Sequence, residues 1–259
     1  MKVAIIGSGI SGLAVAHGVQ PHAEVTLLEA NDYFGGHTHT VDITIEDRGR
    51  PCTFGVDTGF LVLNERTYPN LLKLFSDLNV EIAKSDMSFS VQVPQPDGSE
   101  GLEWSGSNLS TVFAQRRNLV SPRFLNMLQD LMRFNSLCTE LAVKGKDEDL
   151  QQPLAAFLDQ HRFGTPFREW YFLPMLGCIW SCPTDQMLQF PVATMIRFCH
   201  NHGLLQVNNR PQWYTVRGGA RNYVNAIVSR LKDARLNSPV SLIERHANGV
   251  WVHTPNGPE

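Results

Sequence analysis

The sequence predicts an α/β fold in which a βαβ framework is interrupted by a mainly helical α+β insertion, and three observations predict it. Within residues 2–30 a β-rich run, a glycine-spaced turn, a helix-forming stretch and a second β-rich run follow one another, the order that builds two parallel strands with a crossover helix. From residue 67 helical periods dominate. After Trp213 a Gly-Gly pair, a helical pattern and two β-like runs bring back the first texture. The framework therefore takes residues 1–66 and 216–259, and the insertion takes 67–215.

Each element has a local reason. Lys2–Ile6 and Glu24–Leu28 are the β-rich runs, and Leu13–Val19 has helical composition between them. Leu71, Leu72, Phe75 and Leu78 recur on one face of the first helix of the insertion. Two short strands, Phe89–Val93 and Leu102–Trp104, flank the turn Pro96-Asp97-Gly98. Ser121 as N-cap with Pro122 at the first helical position starts a long helix, whose expected apolar stripe is Leu125, Leu128, Met132 and Leu137. Thr165-Pro166 repeats that grammar. Gly218-Gly219 precede a helix over Asn222–Leu231, followed by β-like runs Pro239–Ile243 and Gly249–His253, joined through Ala247-Asn248-Gly249. The chain then stops in turn chemistry at Pro255–Glu259, with no closing helix or strand expected.

Composition bounds the function. Of 259 residues 42% are hydrophobic and 18% charged, which supports a real core and excludes a disordered or collagen-like chain. Twenty-two basic and 25 acidic residues give a net charge of −3 with no basic run, which argues against a nucleic acid or an anionic membrane as partner. The apolar stretch at 171–180 is broken by Pro174 and Gly177, so no transmembrane segment is expected. Gly7, Ser8 and Gly9 cut short the apolar start before a signal-peptide core forms, and five cysteines are an odd number for a disulfide framework. A cytoplasmic protein with reduced thiols is the expectation. Nothing in the sequence fixes the oligomeric state.

The chemistry-bearing motif is Gly7-Ser8-Gly9-Ile10-Ser11-Gly12, placed directly after a strand and opening a helix. Gly7 permits the tight turn, Gly9 lets a pyrophosphate approach the backbone, and Gly12 lets helix and strand pack closely. The helix N-terminus supplies N–H donors from Ile10 onward. Glu29 follows Gly9 by 20 residues and ends the second strand beside Ala30, where a carboxylate can accept from a ribose diol and disfavours a 2′-phosphate. NAD and FAD share this fingerprint, and the first 30 residues do not separate them.

Gly35-Gly36-His37-Thr38 adds a second glycine pair just beyond the carboxylate. This resembles the element after the ribose carboxylate in the flavin amine oxidase superfamily, which includes monoamine and polyamine oxidases, protoporphyrinogen oxidase and phytoene desaturases. Val56-Asp57-Thr58-Gly59-Phe60 resembles the superfamily segment beside the flavin. Val216-Arg217-Gly218-Gly219-Ala220 resembles the opening of its returning helix, and Pro239-Val240-Ser241-Leu242-Ile243 the strand whose valine backbone meets the adenine. Asp57–Asn70, Phe113–Phe124, Ile179–Pro191 and Arg210–Gly219 are most similar to a bacterial group of predicted NAD/FAD-binding proteins.

The resemblance implies a Rossmann-like FAD-binding domain with an inserted, mainly helical α+β substrate domain, and a role as an FAD-dependent oxidoreductase. The reaction would be hydride abstraction from a C–N or C–C bond of a small-molecule substrate, either an amine or an apolar lipid-like or isoprenoid-like compound. It further implies that Gly7, Gly9, Ile10, Ser11 and Gly12 hold the pyrophosphate, Glu29 and Ala30 the ribose, and Gly35, Gly36, His37 and Thr38 the middle of FAD. Thr58, Gly59 and Phe60 would meet the flavin edge, and Val240 the adenine. Two departures stand out. His37 replaces the usual arginine, a weaker and pH-dependent partner for a pyrophosphate. Relatives also continue beyond this point, so the C-terminal part of the full fold is expected to be absent, the first strand to have an open edge, and no catalytic residue is assigned. The competing expectation is a non-catalytic dinucleotide-binding module or inactive fragment.

Other signals favour structure over chemistry. Cys178 and Cys182 lack a second pair to complete a metal site, and His200 and His202 sit at a helix end. Trp180, Phe190, Phe198, Trp213 and Tyr214 could line an apolar tunnel, but aromatic residues are more often core. Arg116-Arg117 reads as a solvated helix entry.

Overall fold

A computed structural model describes residues 1–95, 100–180, 182–207 and 210–259. The expected turn Pro96-Asp97-Gly98 lies outside them. The chain divides into one unit of residues 1–85 and 212–259 and a second unit of residues 86–211. The expected domain boundaries fall at 66/67 and 215/216, whereas the contact units divide at 85/86 and 211/212.

The first unit opens with β1 (Lys2–Ile6), α1 (Ile10–Val19) and β2 (Glu24–Leu28), as the glycine-spaced turn dictates. β1 and β2 are parallel, with Lys2 opposite Glu24 and Ile6 opposite Leu28. A long antiparallel hairpin follows, β3 (Thr40–Asp47) and β4 (Arg50–Asp57). Its two-residue loop, Arg48-Gly49, has both φ values positive (50° and 76°), as a tight right-twisted hairpin requires. β5 (Leu63–Asn64), α2 (Pro69–Leu78) and β6 (Ile82–Ser85) complete the N-terminal portion. Pro69 starts α2, and Asn79, left-handed at φ 57°, ends it.

In the second unit β7 (Ser90–Val93) and β8 (Leu102–Ser105) form a small antiparallel ladder, followed by the single turn α3 (Leu109–Val112). α4 (Pro122–Lys144) begins as expected, the Ser121 hydroxyl accepting from the Phe124 N–H at 3.5 Å. Of its expected apolar stripe, Leu128 and Leu137 pack against the core and the other two residues are corrected. Leu125 and Met132 are 41% and 56% exposed, whereas Phe124, Met127, Phe134 and Cys138 are fully buried. Both sets have helical spacing, and the aromatic set wins because it buries larger rings: Phe134 packs within 5.4 Å, centroid to centroid, of Phe163, Phe167 and Phe172.

α5 (Leu154–Gln160), α6 (Thr165–Phe167), α7 (Leu173–Trp180), α8 (Thr184–Met187) and α9 (Val192–Asn201) complete this unit. The N-cap of α6 is Gly164 rather than Thr165, because the Asp130 carboxylate accepts from the Gly164 N–H at 2.8 Å.

The chain returns through β9 (Trp213–Val216), α10 (Arg221–Val228) and β10 (Asp233–Arg235). β9 pairs antiparallel with both β5 and β6, and Phe75 and Leu78 of α2 share a core with Tyr223, Val224 and Ile227 of α10. That pairing and that core keep residues 67–85 in the first unit.

β10 lies parallel to β2, giving the order β1-β2-β10. Among the described residues β1 thus pairs on one side only, and Ile6 is 46% exposed. The expected strand Pro239–Ile243 is corrected to β11 (Leu242–His246), which pairs with β12 (Gly249–Thr254). The chain also ends on a strand after all, since β13 (Gly257–Pro258) pairs with β12. No helix among the described residues is long and apolar enough to cross a membrane.

Candidate functional site: a glycine cradle beside a buried carboxylate

Gly7 turns the chain at the end of β1 with φ 90°, and its N–H donates to the Leu28 carbonyl at 2.8 Å, tying the turn to β2. A Cβ on Gly12 would lie 2.0 Å from the Gly7 carbonyl oxygen, so only glycine lets α1 pack this closely. Gly9 differs. It is the N-cap of α1, no side chain caps the helix there, and a Cβ on it would meet nothing within 4 Å. Ile10 and Ser11 are exposed in the first turn. Gly36, at φ 59°, faces this turn: a Cβ on it would stand 3.1 Å from the Gly9 Cα. The two glycine motifs therefore meet backbone to backbone.

Glu29 directly follows β2 and is buried, 5% exposed. Its Oε2 accepts from the Ser8 N–H at 2.8 Å and the Ser8 hydroxyl at 2.5 Å. Its Oε1 accepts from the Asn31 N–H at 2.9 Å and the Asn31 side-chain amide at 3.1 Å. Burial pushes the carboxyl pKa up, but the Ser8 hydroxyl and the Asn31 and Ser8 backbone donors outweigh it and hold the pKa below the usual range. The group is an ionised acceptor at neutral pH.

Ser8, fully buried, also accepts from the Gly35 N–H at 3.0 Å. Ala30 is exposed beside this carboxylate. Residues after β10 reach the same end of the sheet: the Ser238 N–H donates to the Glu29 carbonyl at 2.8 Å, and the partly buried Val240 follows two residues later.

A second assembly holds the segment after β4. The Thr58 N–H donates to the His39 carbonyl at 2.9 Å and the Phe60 N–H to the His37 carbonyl at 3.1 Å. Gly59 fits because a Cβ would come within 2.2 Å of the His37 carbonyl oxygen. The His37 side chain is exposed, whereas Thr38 is buried with its hydroxyl bonded to Tyr223. Asp57 accepts from the Ala220 N–H at 2.9 and 3.1 Å and from the Thr40 hydroxyl at 2.5 Å. Thr40 in turn accepts from the Arg221 N–H at 3.0 Å, so α10 is capped from the hairpin. Beside this knot a cavity of about 410 Å³ is lined by Gly55, Asp57, Leu61, Thr215, Gly218 and Gly219.

All the residues predicted to hold the cofactor thus lie in the first unit. Gly7–Gly12, Glu29, Gly35 and Gly36 converge, Val240 follows the Ser238 that bonds the Glu29 carbonyl, and the His37 and His39 carbonyls hold Thr58–Phe60. Ser8, Asn31, Thr40, Asp57 and Tyr223 were not foreseen as site residues; of these, Ser8 and Asp57 stood inside a motif. Among the described residues no three His, Cys, Asp or Glu side chains are placed to hold a metal ion. Trp180 packs on Phe190 and Phe198 within the second unit's core.

Uncapped helix amides, bare backbone at Gly9 and Gly36, and an ionised carboxylate at a strand end fit the phosphates and ribose of a dinucleotide. Fold and site define an α/β protein with an inserted helical unit and a glycine cradle of this kind. The family model for flavin containing amine oxidoreductases matches residues 10–259, and the chain belongs to that family, whose cofactor is FAD.

Polyamine oxidase 4 of Oryza sativa subsp. japonica is 28% identical over 269 residues, covering 99% of this chain and 48% of its own length. A putrescine oxidase solved with putrescine superposes with a TM-score of 0.68 at 18% identity, over 99% of this chain and 56% of its own. A fatty acid isomerase of P. acnes that produces CLA superposes with a TM-score of 0.56 at 17% identity, over 99% and 56%. The structural likenesses establish the fold alone. The chain spans about half the length of the relatives it matches.

Proposed function

We propose that this chain carries the FAD-binding part of an oxidoreductase that removes a hydride equivalent from a small-molecule substrate, with an amine as the leading substrate class. The observation that supports it most is the meeting of Gly9, Gly36 and the ionised Glu29 in one cradle, in a chain that belongs to the flavin family. When bound, the flavin supplies the hydride-accepting chemistry.

The protein's own residues bind and orient. Gly7–Gly12 and the α1 N-terminus receive the pyrophosphate, Glu29 with Ala30 the ribose, Gly35–Thr38 the middle of the dinucleotide, Thr58–Phe60 the flavin edge, and Val240 the adenine. Residues 86–211, whose core is densely aromatic, provide the substrate region. The relatives named for polyamine and putrescine favour an amine, and the fatty acid isomerase keeps an apolar chain as the second class.

The test is an absorbance spectrum of the purified protein followed by anaerobic addition of putrescine, a longer polyamine or a fatty acid. Flavin bands near about 375 and 450 nm that bleach with one of them support the reading. Bound flavin that none of them bleaches leaves the chain a non-catalytic FAD-binding module. Protein that takes up no flavin refutes the reading.

A further inference from the structure

We propose that Ser8 is a positioning residue that couples ribose recognition at Glu29 to the second glycine turn, so that the two halves of the nucleotide cradle respond as one. The proposal rests on the reading of this cradle as the FAD site. Ser8 is fully buried, and its hydroxyl does two things at once. It donates to Glu29 Oε2 and accepts from the Gly35 N–H at 3.0 Å, contacts that span 21 and 27 residues of sequence. No other hydroxyl in the site touches both motifs among the described residues.

With its N–H and hydroxyl both directed at Oε2, Ser8 fixes the inner oxygen of the carboxylate. The other oxygen, Oε1, is held by Asn31, whose exposed side-chain amide can swing away when a ribose hydroxyl arrives. Ser8 therefore sets which oxygen meets the ligand. The same hydroxyl holds Gly35, at φ 125°, and through it Gly36, whose Cα side packs on Gly9. A ligand that tightens Glu29 polarises the Ser8 hydroxyl and strengthens its acceptance from Gly35. Alanine at position 8 breaks the link and leaves the Gly35 N–H without its acceptor.

The experiment measures adenosine, ADP and FAD affinities of the wild type, Ser8→Ala and Ser8→Cys, together with amide exchange at Gly35 in the absence and presence of adenosine. Adenosine carries the ribose but no phosphate, so it reaches Glu29 without reaching the glycine turn. The expected result is that Ser8→Ala lowers FAD affinity about tenfold or more and adenosine affinity by less. Adenosine slows Gly35 exchange in the wild type and not in Ser8→Ala, and Ser8→Cys, which keeps a weak donor and acceptor, falls between. FAD affinity within twofold of wild type in Ser8→Ala, or equal adenosine protection of Gly35 in both proteins, overturns the coupling. A wild type that binds neither adenosine nor FAD overturns the underlying site as well, so the two failures are distinguishable.

Discussion

Replacing Gly9 and Gly12 separately by alanine separates ligand approach from folding at two positions three residues apart. At Gly12 the new Cβ would lie 2.0 Å from the Gly7 carbonyl oxygen and 3.3 Å from Ile5 Cγ2, whereas real Cβ atoms keep at least 3.0 Å. The shortfall of 3.0 − 2.0 = 1.0 Å is against backbone, so α1 or the turn must move. Overpacking of this kind costs about 3 kcal/mol, which for a chain of this size lowers the melting temperature by about 6–12 °C.

At Gly9 the backbone angles, φ −62° and ψ 170°, suit alanine, and nothing lies within 4 Å of the new methyl. Stability there changes by less than about 1 kcal/mol. The methyl instead occupies the space through which a pyrophosphate meets the backbone, so ADP and FAD affinity falls at least about tenfold. Thermal melts followed by circular dichroism and calorimetric titration with ADP measure both effects. A Gly12→Ala protein that melts with the wild type, or a Gly9→Ala protein that binds ADP as tightly, refutes the reasoning.

Three further outcomes are expected. Glu29→Gln should lower stability by about 1.5–3 kcal/mol at pH 7, since charge-assisted acceptors are replaced by a neutral amide. Because the folded pKa of Glu29 lies below its usual value, its contribution is full above about pH 4.5 and fades as pH falls through the folded pKa; urea titrations between pH 7 and 3 should show the gap to Glu29→Gln narrowing only in acid, and a gap that is constant or widens contradicts the account. Thr40→Val removes the donor to Asp57 and the acceptor for the Arg221 N–H at nearly constant shape, costing about 1–2 kcal/mol by urea titration, with Thr40→Ser restoring most of it. Phe134→Ala should cost about 3–5 kcal/mol in the same assay, because the ring is fully buried among Phe163, Phe167 and Phe172.

Legibility in the sequence followed the range of the cause. β1, β2 and the glycine turn between them were readable because a β-rich run and glycine spacing act within a few residues, and α4 was readable because Ser121 and Pro122 cap it locally. β10 was hidden: Asp233-Ala234-Arg235 has no β-like composition and is a strand only because β2 offers it an edge. The buried face of α4 was ambiguous because two sets of residues share the same period, and the aromatic partners that decide between them arrive about 30 residues later. The hairpin of β3 and β4 did carry a signal, the alternation of Val41, Ile43 and Ile45 ahead of Arg48-Gly49.

In the site, glycines and Glu29 were legible because their chemistry requires those residue types at that spacing. The bridging role of Ser8 and the capping of residue 220 by Asp57 were not, since both depend on contacts between distant segments.

The central claim is that the cradle of Gly9, Gly36 and Glu29 binds the nucleotide half of FAD. Calorimetric titration of the chain with FAD, repeated in saturating ADP, tests it most directly. One FAD per chain, displaced competitively by ADP and weakened by Glu29→Gln, is the predicted result. FAD binding that ADP leaves unchanged, or no binding of either ligand to the folded protein, contradicts it.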